Sequence, residues 1–170
     1  LPAASPLGMP ACTQLRGEPL RNVAPLYSTA RMSSSYPHEE NRGAAIARDG
    51  VLNLSYFHTQ CDGAAQWWRL DFTEPVGLWQ IALHNRPDHR YRLVGATITA
   101  WPVGGKGAPL ANATVATSRA AYVWTLSPPL ARVGSLEVRL PEKPAGEGCL
   151  HFLELEAFGA PQQQIDDGET

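Results

Sequence analysis

FHTQCDGAAQWWRLDF, residues 57–72, runs from a polar segment carrying a histidine, a cysteine and an aspartate straight into two tryptophans. In its second half Trp68, Leu70 and Phe72 alternate with Trp67, Arg69 and Asp71. A period of two marks a half-buried strand with the first set facing a core. The first half has no such period. His58, just ahead of a rigid strand, reads either as a surface residue or as one corner of a site.

Outward from this stretch, strand candidates recur at short intervals: WWRLDF, LWQIALHN, LVGATITAW, AAYVWTL, SLEVRL and CLHFLELEAFG. Trp79, Ile81 and Leu83 are expected to share one face of LWQIAL, and Leu136, Val138 and Leu140 one face of SLEVRL. Turn material such as PVGGKGAP, SPP and PEKPAGEG separates the candidates. No segment keeps an apolar stripe at helical spacing for three turns, and RGAAIARDG allows one short helical turn at most. The pattern predicts an all-β sandwich or barrel.

The chain has 170 residues, 44% of them hydrophobic, which suits one domain with flanking segments. Residues 1–21 read as a linker or N-terminal extension, 22–160 as the domain, and 161–170 as a polar tail. A net charge of -2 argues against a nucleic-acid partner, which would leave a concentrated basic face. No apolar run is long enough for a transmembrane segment. The first residues lack the basic start and apolar centre of a signal peptide, so a secreted form would be a processed chain or part of a larger one. Sequons at Asn53–Ser55 and Asn112–Thr114 lean modestly towards a secreted or extracellular glycoprotein. Cys12, Cys61 and Cys149 permit one disulfide and leave one thiol, without zinc spacing. Hydrolase, nucleotide-binding and dinucleotide motifs are absent, so no enzyme is expected.

Two loops carry possible chemistry. HNRPDHRYRL (84–93) sets Arg86, Arg90 and Arg92 beside Asp88, and guanidinium donors suit sugar hydroxyls and ring oxygens. Alone, it reads as a solvated loop with a local ion pair. ARDGVLNLSYFHT places Asp49 in an Asp-Gly turn of the kind that can hold calcium, although alone it reads as an ordinary turn.

Taken in order, NVAPLYSTARMSSSY, AIARDG, FHT, WWRLDF, NRPDHRYRLVGATI and FLELEAFG resemble the motifs of the F-type lectins (fucolectins), within the discoidin or coagulation factor C-type fold. The resemblance runs from about Asn22 to Gly159. It implies an eight-stranded antiparallel jelly-roll β-sandwich of galactose-binding-domain-like type, with fucose or a related glycan bound by loops at one end. The family's sugar-binding histidine falls on His58, and its two arginines on Arg86, with Asp88 as companion, and Arg92. The family's adjacent cysteine pair is absent, so Tyr91 is left to offer an apolar face, and His38 falls on the pocket rim.

The resemblance also implies a structural calcium ion. Its ligands would come from Ile46, Asp49, Val51, Ser55, Leu153 and Glu154, with a carbonyl role for Ile46 and Val51, and Asn53 is then expected to stay unmodified. For the disulfide, a displaced form of the family bridge would join Cys61 to Cys149, whereas coagulation-type domains would favour Cys12 with Cys149. The function expected is non-catalytic, calcium-stabilised carbohydrate binding, within a larger extracellular protein and serving recognition or adhesion. The alternatives are a discoidin-like module that docks on protein or membrane, or an accessory module that targets an enzyme to glycans. The polar tip loops SSSYPHEEN and RPDHRY favour the sugar.

Overall fold

The structure is a computed structural model and describes residues 20–37 and 42–162. His38 and Cys12 therefore lie outside the described residues. Among those described, seven strands form one antiparallel system: β1 (Arg21–Asn22), β2 (Ser28–Met32), β3 (Gln66–His84), β4 (Thr97–Pro102), β5 (Ala111–Thr114), β6 (Ala121–Leu140) and β7 (Glu154–Pro161). The all-β expectation holds. The expected count of eight is not reproduced, because two pairs of strand candidates fuse. WWRLDF and LWQIALHN are the two halves of β3, and AAYVWTL and SLEVRL the two ends of β6.

These two long strands make the sandwich. The first half of β3 pairs with β2 and with the end of β6, and that end of β6 also pairs with β4. The second half of β3 pairs with β7 and with the start of β6. Register shifts between Asp71 and Val76 mark the bend, where Thr73 and Glu74 are exposed. A bulged strand twists and turns more sharply, which lets one strand serve both layers. The periodic residues fill the space between: Trp68, Leu70, Leu136, Val138, Leu140, Ile98, Leu83, Leu155 and Ala157 belong to one core.

One periodic reading fails. Trp79 does not share the fully buried face of Ile81 and Leu83, and Leu78, wholly buried, takes the core place instead. Leu78 pairs with Gly159 and Gln80 with Phe158, so Trp79 is the extra residue of a bulge, where alternation breaks. Three short strands, β1, β2 and β5, were absent from the candidates. In CLHFLELEAFG and LVGATITAW the strands begin only at Glu154 and Thr97. RGAAIARDG forms its single turn, a 3-10 segment at Ala44–Arg48.

The close approach of β3 and β7 at the bulge needs glycine. A Cβ on Gly159 would lie 2.0 Å from the Gly77 carbonyl oxygen, a backbone atom that cannot step aside. Gly159→Ala is expected to destabilise the fold by about 1–3 kcal/mol. A lowered denaturant midpoint would register this; an unchanged midpoint would mean that the strands are not so tightly apposed.

Candidate functional site

The tryptophan strand and the polar run are joined through Phe57. Its ring packs at 4.6 Å against Phe152 and at 6.1 Å against Trp68, all three being fully buried. With Phe57 turned inward, His58 leaves the opposite side of the chain. The segment is held in place by Thr59 N–H donating to the Leu150 carbonyl at 3.0 Å and Tyr36 N–H donating to the His58 carbonyl at 2.9 Å. His58 is only 8% exposed, and its Nδ1 lies 2.6 Å from the Thr59 carbonyl. A carbonyl can only accept, so Nδ1 carries the proton and Nε2 is the acceptor of the neutral ring.

Arg86 leaves the end of β3 and lies over the Tyr56 ring, 4.1 Å from its centroid. Asp88 grips it from the other side through a two-pronged ion pair, with Nε to Oδ1 at 2.6 Å and Nη2 to Oδ2 as the second bond. The Arg86 hydrogen bonds hold the Asp88 carboxyl below its usual range, against a smaller opposing effect of burial. Arg92, in the 3-10 segment Arg90–Leu93, donates from Nη2 to the Gly146 carbonyl at 3.2 Å. Its Nε is buried without a hydrogen-bond partner.

These groups meet around a residue that the sequence did not single out. The His151 ring stacks on His58 at 5.2 Å and meets the edge of Tyr56 at 6.5 Å. It is 1% exposed, and neither ring nitrogen has a partner. Burial pushes its pKa down to about 3, and the positive charges of Arg86 and Arg92 add to the shift. Tyr56 links Arg86, 4.1 Å from its ring, to His58, 6.2 Å away, and the Gly146 carbonyl that Arg92 binds lies 3.7 Å from Cys149 Sγ. A period-two signal for His151 exists, since Leu150 and Phe152 enter the core on either side of it.

The disulfide joins Cys61 to Cys149, the displaced form of the two pairings considered. Its sulfurs lie within 4.8 Å of a His58 ring nitrogen. Because both sulfurs are covalently bonded, this trio offers no thiolate for a metal. Asp88 and Tyr91 are exposed at the rim, and Tyr91 meets His89 with its ring edge at 5.9 Å rather than packing on the arginines.

The residues suggested for calcium divide. Glu154 is 1% exposed; its Oε1 accepts from Gly50 N–H at 3.0 Å, and its Oε2 is buried with no partner. Burial raises its pKa to about 8, and the nearby Asp49 charge adds to this. Asp49 Oδ1 accepts from Val51 N–H at 2.8 Å. A buried, unpartnered carboxylate oxygen repelled by a second carboxylate is chemically suited to a hard cation. Leu153 is tied by its N–H to the His84 carbonyl, whereas Ile46 packs on the core. Ser55 donates its N–H to Asn53 Oδ1 at 2.6 Å, and nothing links it to Glu154.

Solved structures share this arrangement of strands. A mutant of the lectin binding domain of Lectinolysin, complexed with Lewis b, is 21% identical and matches 82% of this chain and 98% of that one, at a TM-score of 0.67. A fucolectin from striped bass (Morone saxatilis) serum is 24% identical over 85% of this chain, with a TM-score of 0.70. This chain spans 50% of the striped bass protein. The F5/8 type C domain of a Bacteroides fragilis protein is 17% identical, covering 84% of this chain and 98% of its own, at 0.62. The fold is that of F-type lectins and F5/8 type C domains. No family model matches the sequence. No curated protein matches it either.

Glu154 makes a pH prediction. Its folded pKa of about 8 lies above the ordinary 4.5, so the metal-free protein loses stability as pH rises through that interval. His151, lowered from 6.5 to about 3, acts in the opposite sense and only below its ordinary pKa. Thermal melts in chelator should therefore show a falling Tm between about pH 6.5 and 8.5, with Glu154→Gln flattening the slope. A slope equally steep in the variant would assign it to other groups.

Proposed function

We propose that this chain is a carbohydrate-binding module that performs no catalysis and holds a terminal sugar, fucose or a related residue, between His58, Arg86 and Arg92. The observation that carries the reading is that the loop of Arg86 and Arg92 meets the segment of His58: the Tyr56 ring lies 4.1 Å from the Arg86 guanidinium and 6.2 Å from the His58 ring. His58 Nε2 accepts from a sugar hydroxyl. The arginines donate to hydroxyl and ring oxygens, and Asp88 and Tyr56 hold Arg86 in one rotamer so that little side-chain freedom is lost on binding. The apolar flank of the sugar rests on the Cys61–Cys149 disulfide, which stands beside His58.

Asp49 and Glu154 hold calcium in this reading, with the orphaned Glu154 Oε2 as the supporting observation. The ion neutralises the pair and ties the 49–51 turn to β7, ahead of the loop that carries His58. The disulfide supports an oxidising, extracellular setting, where such a module serves recognition or adhesion within a larger protein.

One observation favours a second reading, docking on a membrane or protein. Val51, Leu52 and Leu54 are 55%, 58% and 74% exposed on a single loop, an apolar tip apart from the polar loops noted in the sequence. One experiment separates the two. A glycan array with calcium should show fucose-dependent binding that chelator reduces. Arg86→Ala should weaken it by roughly tenfold or more, the loss of about 1.5–3 kcal/mol expected for a charged hydrogen-bond donor. Failure to bind any glycan, together with sedimentation on anionic vesicles that Leu52→Ser and Leu54→Ser abolish, would establish the second reading instead.

A further inference from the structure

The arginines of the sheet surface and those of the loops near His58 are held differently. On the sheet surface Arg31 pairs with Asp71, Arg69 with Asp71 and Glu137, and Arg139 with Glu137. At the sugar-binding end only Arg86 has a carboxylate, that of Asp88. Arg90, Arg92 and Arg119 have no carboxylate partner among the described residues. The Arg119 side chain donates only to Thr117 Oγ1, at 3.2 Å, and Arg92 only to the Gly146 carbonyl, at 3.2 Å. In a chain whose net charge is -2, this local excess of cations stands out.

The backbone keeps them together. Asn85, 3% exposed, donates from Nδ2 to the carbonyls of Arg90 and Arg119, at 3.1 Å each. This clamp fixes the 85–92 loop against the 115–120 loop, so the two exposed arginine side chains start from adjacent points at the rim. Behind them the Lys143 ammonium donates to the carbonyls of Arg92 and Val94, at 3.0 and 2.7 Å. It adds a further positive charge, and its own pKa is lowered by partial burial against a smaller opposing effect of the Glu147 carboxylate.

We propose that the preferred glycan is anionic, carrying a sulfate ester or a carboxylate that sits on Arg90 and Arg119 while its neutral terminal sugar occupies the His58, Arg86 and Arg92 site. A guanidinium meets either group through paired N–H donors and gains most where no carboxylate of the protein competes. Because the two arginines are exposed, the gain falls as salt rises. This inference rests on the carbohydrate-binding reading and names the class of glycan for that site.

The test compares three probes on the calcium-loaded chain by titration: a neutral fucosylated trisaccharide, its sulfated counterpart and its sialylated counterpart. In low salt at least one anionic probe is expected to bind about tenfold more tightly than the neutral one, with a smaller advantage in roughly 0.3 M salt. Whichever anion gains the advantage identifies the source of the charge. The double variant Arg90→Ser, Arg119→Ser should lose the preference and keep its affinity for the neutral probe. Neutral binding with no anionic gain would overturn this inference and leave the lectin reading standing. Binding of no probe at all would overturn both.

Discussion

The packing of Phe57 between Phe152 and Trp68 is the constraint on which the rest depends. Trp68 belongs to the strand shared by both layers, and Phe152 precedes the strand that supplies Glu154. Wedging Phe57 between them fixes the segment on which His58 sits, in both position and facing. Each aromatic pair contributes about 0.5–1.5 kcal/mol beyond its buried area. The same contact therefore stabilises the core and sets an imidazole against His151. The hydrogen bonds between Thr59 and Leu150 and the Cys61–Cys149 bridge then lock the segment against slippage.

The opposite side of the pocket is built by other means. Arg86 is set by an aromatic face and a carboxylate, and Arg92 by a loop whose carbonyls are capped by a lysine. Polar groups on this side hold one another, whereas the His58 side is set by the hydrophobic core.

How far the sequence alone could be read follows from local physics. Trp68 and Leu70, and likewise Leu136, Val138 and Leu140, obey a period of two and are wholly buried. Trp79 broke the pattern because a bulge inserts one residue, and no local signal in LWQIAL announces it. β2 is not legible in the sequence because only one of its five residues is buried, so STARM carries no apolar alternation. At the site, His58, Arg86, Asp88 and Arg92 came through resemblance in their motifs, whereas His151 and the Asn85 clamp depend on chain segments far apart in sequence. The orphaned oxygen of Glu154 is of the same kind, since LELEAF gives no hint that its first glutamate points inward.

A crystal structure of the calcium-loaded protein with methyl α-L-fucoside would test the central claim most directly. The account predicts one sugar with hydroxyl or ring oxygens within hydrogen-bond distance of His58 Nε2 and of both the Arg86 and Arg92 guanidiniums. A sugar bound elsewhere on the sandwich, or a pocket still empty at saturating ligand, would contradict it.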